Sequence, residues 1–258
     1  MEEISLPKIQ TQKEDQFYGQ FIIEPFYPGY GSTIGNALRR VLVSSLEGAA
    51  ISRIKIQEAT HEFSAILGIK EDMVEIVLNL KKIRLKLYGE ESATLKLTAK
   101  GPKVINASDI KTPAQVEIIN GDQHIATLDN SKATLNIEMV VEKGRGYMAA
   151  EEKPENSEIG VIQIDSLFSP VTWVNFKSEN TRVGQRTDFN KVTVEIKTDG
   201  TILPSEALKK AVDILINQFN VLTKIESKIK PKTTTKTSKK IKKTKHEKKD
   251  GKKTSKKK

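Results

Sequence analysis

The stretch from Gly29 to Ser45, GYGSTIGNALRRVLVSS, decides how the rest of the chain is read. It joins a glycine-rich turn to an amphipathic helix. Ser32 or Thr33 is expected to cap that helix by accepting a hydrogen bond from a first-turn N–H, with Gly29 and Gly31 forming a flexible turn before it. From that start Ile34, Ala37, Leu38, Val41, Leu42 and Ser45 fall at the i, i+3, i+4, i+7 positions of one face, while Arg39 and Arg40 point away from it. One face calls for a core and the other offers charge. Helix N-termini also attract anions, which suggests a phosphate cradle. The spacing argues against one: GYGST lacks the P-loop lysine, and Gly29, Gly31 and Gly35 miss the dinucleotide pattern.

Working outward, alternation of apolar and polar residues marks strands. The clearest are Ile83, Leu85, Leu87; Ala93, Leu95, Leu97, Ala99; Ala133, Leu135, Ile137, Met139; and Val192, Val194, Ile196. Turn signals at Gly89, GP at Gly101, NGD at Asn120, GRG at Gly144 and DG at Asp199 divide this mostly-sheet middle. A long helix then begins at Pro204 and Ser205 and carries Leu208, Ala211, Val212, Leu215, Phe219 and Leu222 along one side. A second line through Ile214, Val221 and Ile225 widens that side beyond a single packing surface. The two wide helices meet either within one core or across a dimer interface, and periodicity alone leaves both open.

At 258 residues the chain suits one or two domains. It has no cysteine, which removes disulfides and thiolate zinc sites, and only His61, His124 and His246, which leaves little for a histidine metal site. No metal or cofactor is expected. The start MEEISLPKIQ is acidic and free of any apolar run, and no stretch approaches the roughly 18 apolar residues that span a bilayer. The expectation is a soluble intracellular protein with no membrane partner.

The net charge of +10 is unevenly placed. Residues 229–258 hold 15 lysines against Glu247 and Asp250, so the remaining body has 28 basic and 31 acidic residues and is slightly negative. The tail, with Lys239, Lys240, Lys242 and Lys243 at its densest, has almost no apolar residues and is expected to be disordered. Attraction to phosphate there would be non-specific and salt-sensitive. Without interleaved aromatics it offers no stacking platform for single strands.

Catalytic candidates are sparse. His61 and Glu62 are adjacent, and on a strand would face opposite sides. No nucleophile stands at a recognisable spacing from them. Glu71, Asp72 and Glu75 sit at the start of a helix over KEDMVEIVLNLK, where carboxylates favour the N-terminal dipole. No catalytic residue is expected in this chain.

The Gly29–Ser45 segment, together with HEFS at His61, KEDMVEIVLNLKKI from Lys70, GRGY at Gly144, SPV at Ser169, QRTD at Gln185 and TDGTI at Thr198, resembles the α subunit of bacterial-type RNA polymerase, over about Ile22 to Leu222 and in the same order. The resemblance implies an α+β fold. Residues 1–47 and 172–228 would form a discontinuous dimerisation domain of a sheet and two long helices. Residues 48–171 would form an inserted mostly-β domain, followed by the disordered lysine-rich tail at 229–258. It implies a homodimer built through Ile34, Leu38, Val41, Leu42, Ala211, Leu215, Phe219 and Leu222. It also implies docking of the β and β′ subunits through Arg39, Arg40, Arg186, Thr187 and Asp188, with Arg40 the strongest candidate.

The chain would then be a non-catalytic assembly subunit of a nucleotidyltransferase, in a bacterial cytoplasm or a plastid, meeting DNA indirectly and through its tail. Many members carry a small helical carboxy-terminal domain; the sequence after Lys228 is too poor in apolar residues for one, so upstream-element recognition is not carried over. Two other readings compete. A stand-alone nucleic-acid-binding protein acting through the tail is disfavoured by the acidic body, and an enzyme of phosphate-bearing substrates by the missing P-loop lysine.

Overall fold

A computed structural model describes residues 6–57, 63–153 and 160–224. His61, Glu62, Ile225 and the lysine-rich tail with Lys239, Lys240, Lys242 and Lys243 lie outside the described residues.

The first layer is a four-stranded antiparallel sheet carrying two helices. Its strands are β1 (Lys8–Glu14), β2 (Tyr18–Phe26), β13 (Val171–Val183) and β14 (Arg186–Thr198), in the order β1-β2-β14-β13. The helices are α1 (Tyr30–Ser44) and α3 (Pro204–Leu222). Sequence-distant strands thus become neighbours, with Val194 opposite Phe21 and Ile196 opposite Gly19. The core of this layer gathers Phe21, Leu38, Leu42 and Leu46 from one end of the chain with Val192, Val194, Ile196, Leu208 and Ala211 from the other.

The second layer is built from the intervening chain. Its strands β3 (Glu47–Ile56), β4 (Leu85–Leu87), β5 (Ala93–Lys100), β7 (Val116–Ile118), β9 (Thr134–Arg145) and β11 (Val161–Gln163) form one sheet, ordered β5-β9-β3-β4-β7 with β11 also pairing β3. Two small ribbons flank it, β6 (Lys103–Asn106) with β8 (His124–Leu128), and β10 (Tyr147–Met148) with β12 (Ser166–Leu167). Helix α2 (Met73–Lys81) covers its core, burying Met73, Ile76 and Leu80 at the i, i+3, i+7 spacing of one face. Strand β5 alternates buried and exposed along its whole length, as one packed face and one open face require.

Local signals explain several boundaries. Asp72 caps α2, its carboxylate accepting from the Glu75 N–H at 2.7 Å. Proline is tolerated at the start of α3 because its missing N–H would have no helical partner there. The GRG turn signal falls at the end of β9, and its two glycines have different tasks. Gly144 lies within β9, and the chain bends at Gly146, which adopts φ 65°. Gly144 is small for another reason, since a Cβ there would come within 2.6 Å of the Phe168 ring. A Cβ on Gly48, on the neighbouring strand, would collide with the Phe168 carbonyl oxygen. Phe168 is thus wedged where the chain crosses between the two layers.

Candidate functional site

Helix α1 begins three or four residues earlier than its sequence suggests. Gly29 is the N-cap, at φ 86°, and neither Ser32 nor Thr33 caps the helix; their hydroxyls instead donate to the Gly29 carbonyl at 3.3 and 3.4 Å. The cap comes from β14. Asn190 Oδ1 accepts from the Gly29 N–H at 2.9 Å and from the Gly31 N–H at 3.3 Å, satisfying donors that every helix start leaves open. Gly31 and Gly35 lie inside the helix, on the face that meets the sheet. A Cβ on Gly31 would press on Ser178 and Asn190, and one on Gly35 would collide with the Phe176 ring. The glycines let the helix axis lie close to the β13–β14 hairpin.

That docking orients the opposite face outward. Arg39 and Arg40 are exposed, and among the described residues neither enters an ion pair. The second arginine element sits at the far end of the hairpin. Arg186, Thr187 and Asp188 open β14 just after the turn at Gly184 and are all exposed. Arg186 and Asp188 grip each other bidentately, Nε to Oδ1 at 3.0 Å and Nη2 to Oδ2 at 2.6 Å. The guanidinium also lies 5.0 Å over the Phe189 ring, which itself meets Tyr27 at 5.7 Å. Hydrogen bonding to Asp188 raises the Arg186 pKa, and the same bond holds the Asp188 carboxyl below its usual range. Arg186 therefore presents a fixed plane, whereas the side chains of Arg39 and Arg40 are uncommitted.

The residues read as dimer contacts separate into two sets. Leu38, Leu42 and Ala211 are buried in the protomer's own core, where their surface is already used. Ile34, Val41 and Leu215 are half-buried at its margin. Phe219 and Leu222 are 60% and 59% exposed. With Val212 and Ile216, also exposed, they continue along α3 at spacings of three and four residues, past the last buried position at Ala211. The outer half of α3 thus carries an apolar stripe that nothing in the protomer covers.

Three features of the structure have no signal in the local sequence. Asn190 and Glu14 cap helices from distant strands, the latter accepting from the Ser205 N–H at the start of α3 at 2.9 Å. Neither leaves a local signature. Glu71 is not a dipole partner. Burial opposes its charge, but hydrogen bonds from His124 at 2.8 Å and from the Thr127 N–H at 2.6 Å prevail and leave its pKa below the ordinary value. Third, Asp165 joins Lys81 at 2.8 Å and the Ala150 N–H at 2.9 Å, and its pKa falls to about 2, chiefly through the Lys81 bond.

Among the described residues no helix is long and apolar enough to cross a membrane. A cleft of about 490 Å3 opens between the layers, lined by the chain after α1, by β4, by the end of β9 and by α3.

Comparison with known proteins places this architecture. Residues 54–169 match the family model described as the RNA polymerase Rpb3/RpoA insert domain. The chain is 50% identical over 216 residues to the DNA-directed RNA polymerase subunit alpha of Roseiflexus castenholzii, covering 84% of this chain and 67% of that one. It is 49% identical over 222 residues to the subunit alpha of Moorella thermoacetica, covering 86% and 71%. It is 47% identical over 229 residues to that of Carboxydothermus hydrogenoformans, covering 88% and 73%. Sheet, inserted layer and relatives agree, and the chain belongs to the alpha subunit family of bacterial DNA-directed RNA polymerase.

Proposed function

We propose that the chain is the assembly subunit of its polymerase, a homodimer that scaffolds the β and β′ subunits without contributing a catalytic residue. The observation that carries this reading is the apolar stripe of Val212, Ile216, Phe219 and Leu222 on α3, which runs on beyond the protomer's core. A second copy presenting the same stripe would cover it by an isologous contact. Half-buried Ile34 and Val41 on α1 and exposed Val43 border the surface so formed.

Arg39 and Arg40 are the docking groups for a large subunit. Their guanidinium forks are free to pair bidentately with carboxylates or backbone carbonyls, and arginine is enriched among interface hot spots. Arg186 and Asp188 act as a unit, offering a flat, internally neutralised surface on one face of β14, with Thr187 on the opposite face. Polymerase membership and α-family kinship support a bacterial cytoplasmic setting. The experiment is reconstitution with purified large subunits. Arg40→Ala should leave the dimer folded and weaken capture of the β subunit about tenfold, while Arg40→Lys restores little. Full capture by Arg40→Ala would overturn the docking role.

A further inference from the structure

We propose that the open face of the four-stranded sheet binds single-stranded RNA, with Trp173 as the stacking platform for a base and Lys13 and Lys197 as partners for phosphates. This face lies across the sheet from α1 and α3 and takes no part in the assembly reading above.

The sheet has two unequal faces. Phe21, Val174, Val194 and Ile196 enter the core beneath the helices. Their neighbours along each strand point the other way, as the pleat requires, and Trp173, Asn175 and Lys197 are exposed there. Strand register aligns them. Lys197 is directly opposite both Trp173 and Tyr18, and Glu195 is directly opposite both Asn175 and Gln20, so a row of two rings and a cation runs beside a polar row. Lys13 on β1 extends the polar row beyond Gln20. The acids of β13 and β14 on this face are already engaged. Glu195 accepts from the Tyr18 hydroxyl at 3.0 Å, from Asn175 at 3.4 Å and from Gln20 at 3.5 Å, and Glu179 pairs with Lys177 at 2.7 Å. Among the described residues Lys13, Lys191 and Lys197 enter no ion pair. The face thus holds a positive surplus on a body that is slightly negative as a whole.

Trp173 is 42% exposed among these polar neighbours. Lys197 Nζ lies 5.1 Å from the centre of its ring, and Lys13 Nζ lies 5.7 Å from that of Tyr18. A cation beside a ring can hold a phosphate while the ring's remaining face takes a base, which is how open antiparallel sheets grip single strands. Other occupants fit less well. A duplex keeps its bases stacked on one another and offers the indole no face. A protein partner calls for an apolar patch around the indole, since interface centres are apolar. Here the next row is polar, and Ile22, the aliphatic residue opposite Thr193, is already buried. The polar row also favours RNA over DNA. Asn175 and Gln20 reach Glu195 through long bonds that exchange easily, and with Thr193 they offer partners to a 2′-hydroxyl.

Trp173 is the only tryptophan in the chain, so its fluorescence reports on this face even in the presence of the lysine-rich tail. The full chain is titrated with a short unstructured RNA carrying a 4-thiouridine. The emission should fall saturably, and irradiation should crosslink the RNA to the peptide that contains Trp173. Unchanged emission, or crosslinks confined to residues 229–258, overturns the proposal. Polyphosphate, which brings charge without bases, and double-stranded RNA should leave the emission unaltered; equal quenching by either would mean attraction without stacking and would overturn it as well. Lys13→Gln and Lys197→Gln should each flatten the slope of log affinity against log salt by about 0.7, the share of one phosphate on a single strand. Unchanged slopes remove the phosphate contacts. The same strand made as DNA should bind about fivefold more weakly, the worth of one hydrogen bond, and equal or tighter binding overturns the assignment to RNA. If purified large subunits shift the Trp173 emission and abolish its response to RNA, the face is a protein contact and the proposal fails.

Discussion

Asn190 Oδ1 lies 2.9 Å from the Gly29 amide nitrogen, so a β14 side chain caps a helix that begins 161 residues earlier. The hydrogen bond ties the hairpin carrying Arg186 to the helix carrying Arg40, and the two arginine elements are placed by one rigid unit. Asn190→Ala should cost about 1–2 kcal/mol, the usual loss for a capping side chain, and lower Tm by about 2–6 °C. Asn190→Asp keeps the acceptor and should recover most of it. An unchanged melting curve for the alanine variant would mean that Asn190 does not cap the helix.

The fit of α1 on the hairpin makes a second prediction. Gly35→Ala drives a methyl into the Phe176 ring and should destabilise the protein by about 1–3 kcal/mol. Phe176→Leu, which yields space, should make the double variant less damaged than the sum of the two singles. Urea midpoints measure the coupling, and strict additivity would contradict the contact.

Asp165 sets a pH dependence. Its folded pKa is depressed to about 2, below the 3.8 of a free aspartate, so its contribution is fully present above about pH 4 and is lost as pH falls through 2. The carboxyl is about one-third exposed, and solvent screening limits the contribution to roughly 1 kcal/mol. Asp165→Asn should lose that amount at pH 7 and show a flatter stability profile between pH 4 and 2. Equal slopes for the two proteins would refute the assignment.

Phe219 tests the dimer. Because it is 60% exposed, Phe219→Glu should spare the protomer's core, leaving the far-ultraviolet circular dichroism intact. Sedimentation equilibrium should show the dimer dissociation constant raised at least tenfold, as expected for a buried aromatic anchor. An unaltered dimer would place the interface elsewhere.

The sequence is legible wherever packing repeats locally. The alternation in β5 and β14, the acidic start of α2 and the proline start of α3 all declare themselves within a few residues. It is illegible where the partner is remote. Ser32 and Thr33 look like caps because local rules search only the next turn, whereas the acceptor used belongs to Asn190. The GRG motif announces the turn that Gly146 makes, but not that Gly144 is small to admit the Phe168 ring. Glu71 reads as ordinary helix chemistry until His124 and Thr127 close on it from β8. At the candidate site Arg39 and Arg40 stand out by falling off the apolar stripe, but the alignment of Trp173 with Lys197 and Tyr18 depends on strand register that no periodicity encodes.

The Phe168 wedge has a mechanical consequence. A junction with no space for a methyl group has little compliance, and close-packed interiors pass on displacement rather than absorb it. A shift of β3 at Gly48 or of β9 at Gly144 would therefore be handed on through Phe168 to the chain that enters β13 three residues later, so the return to the four-stranded layer feels the inserted sheet's register directly.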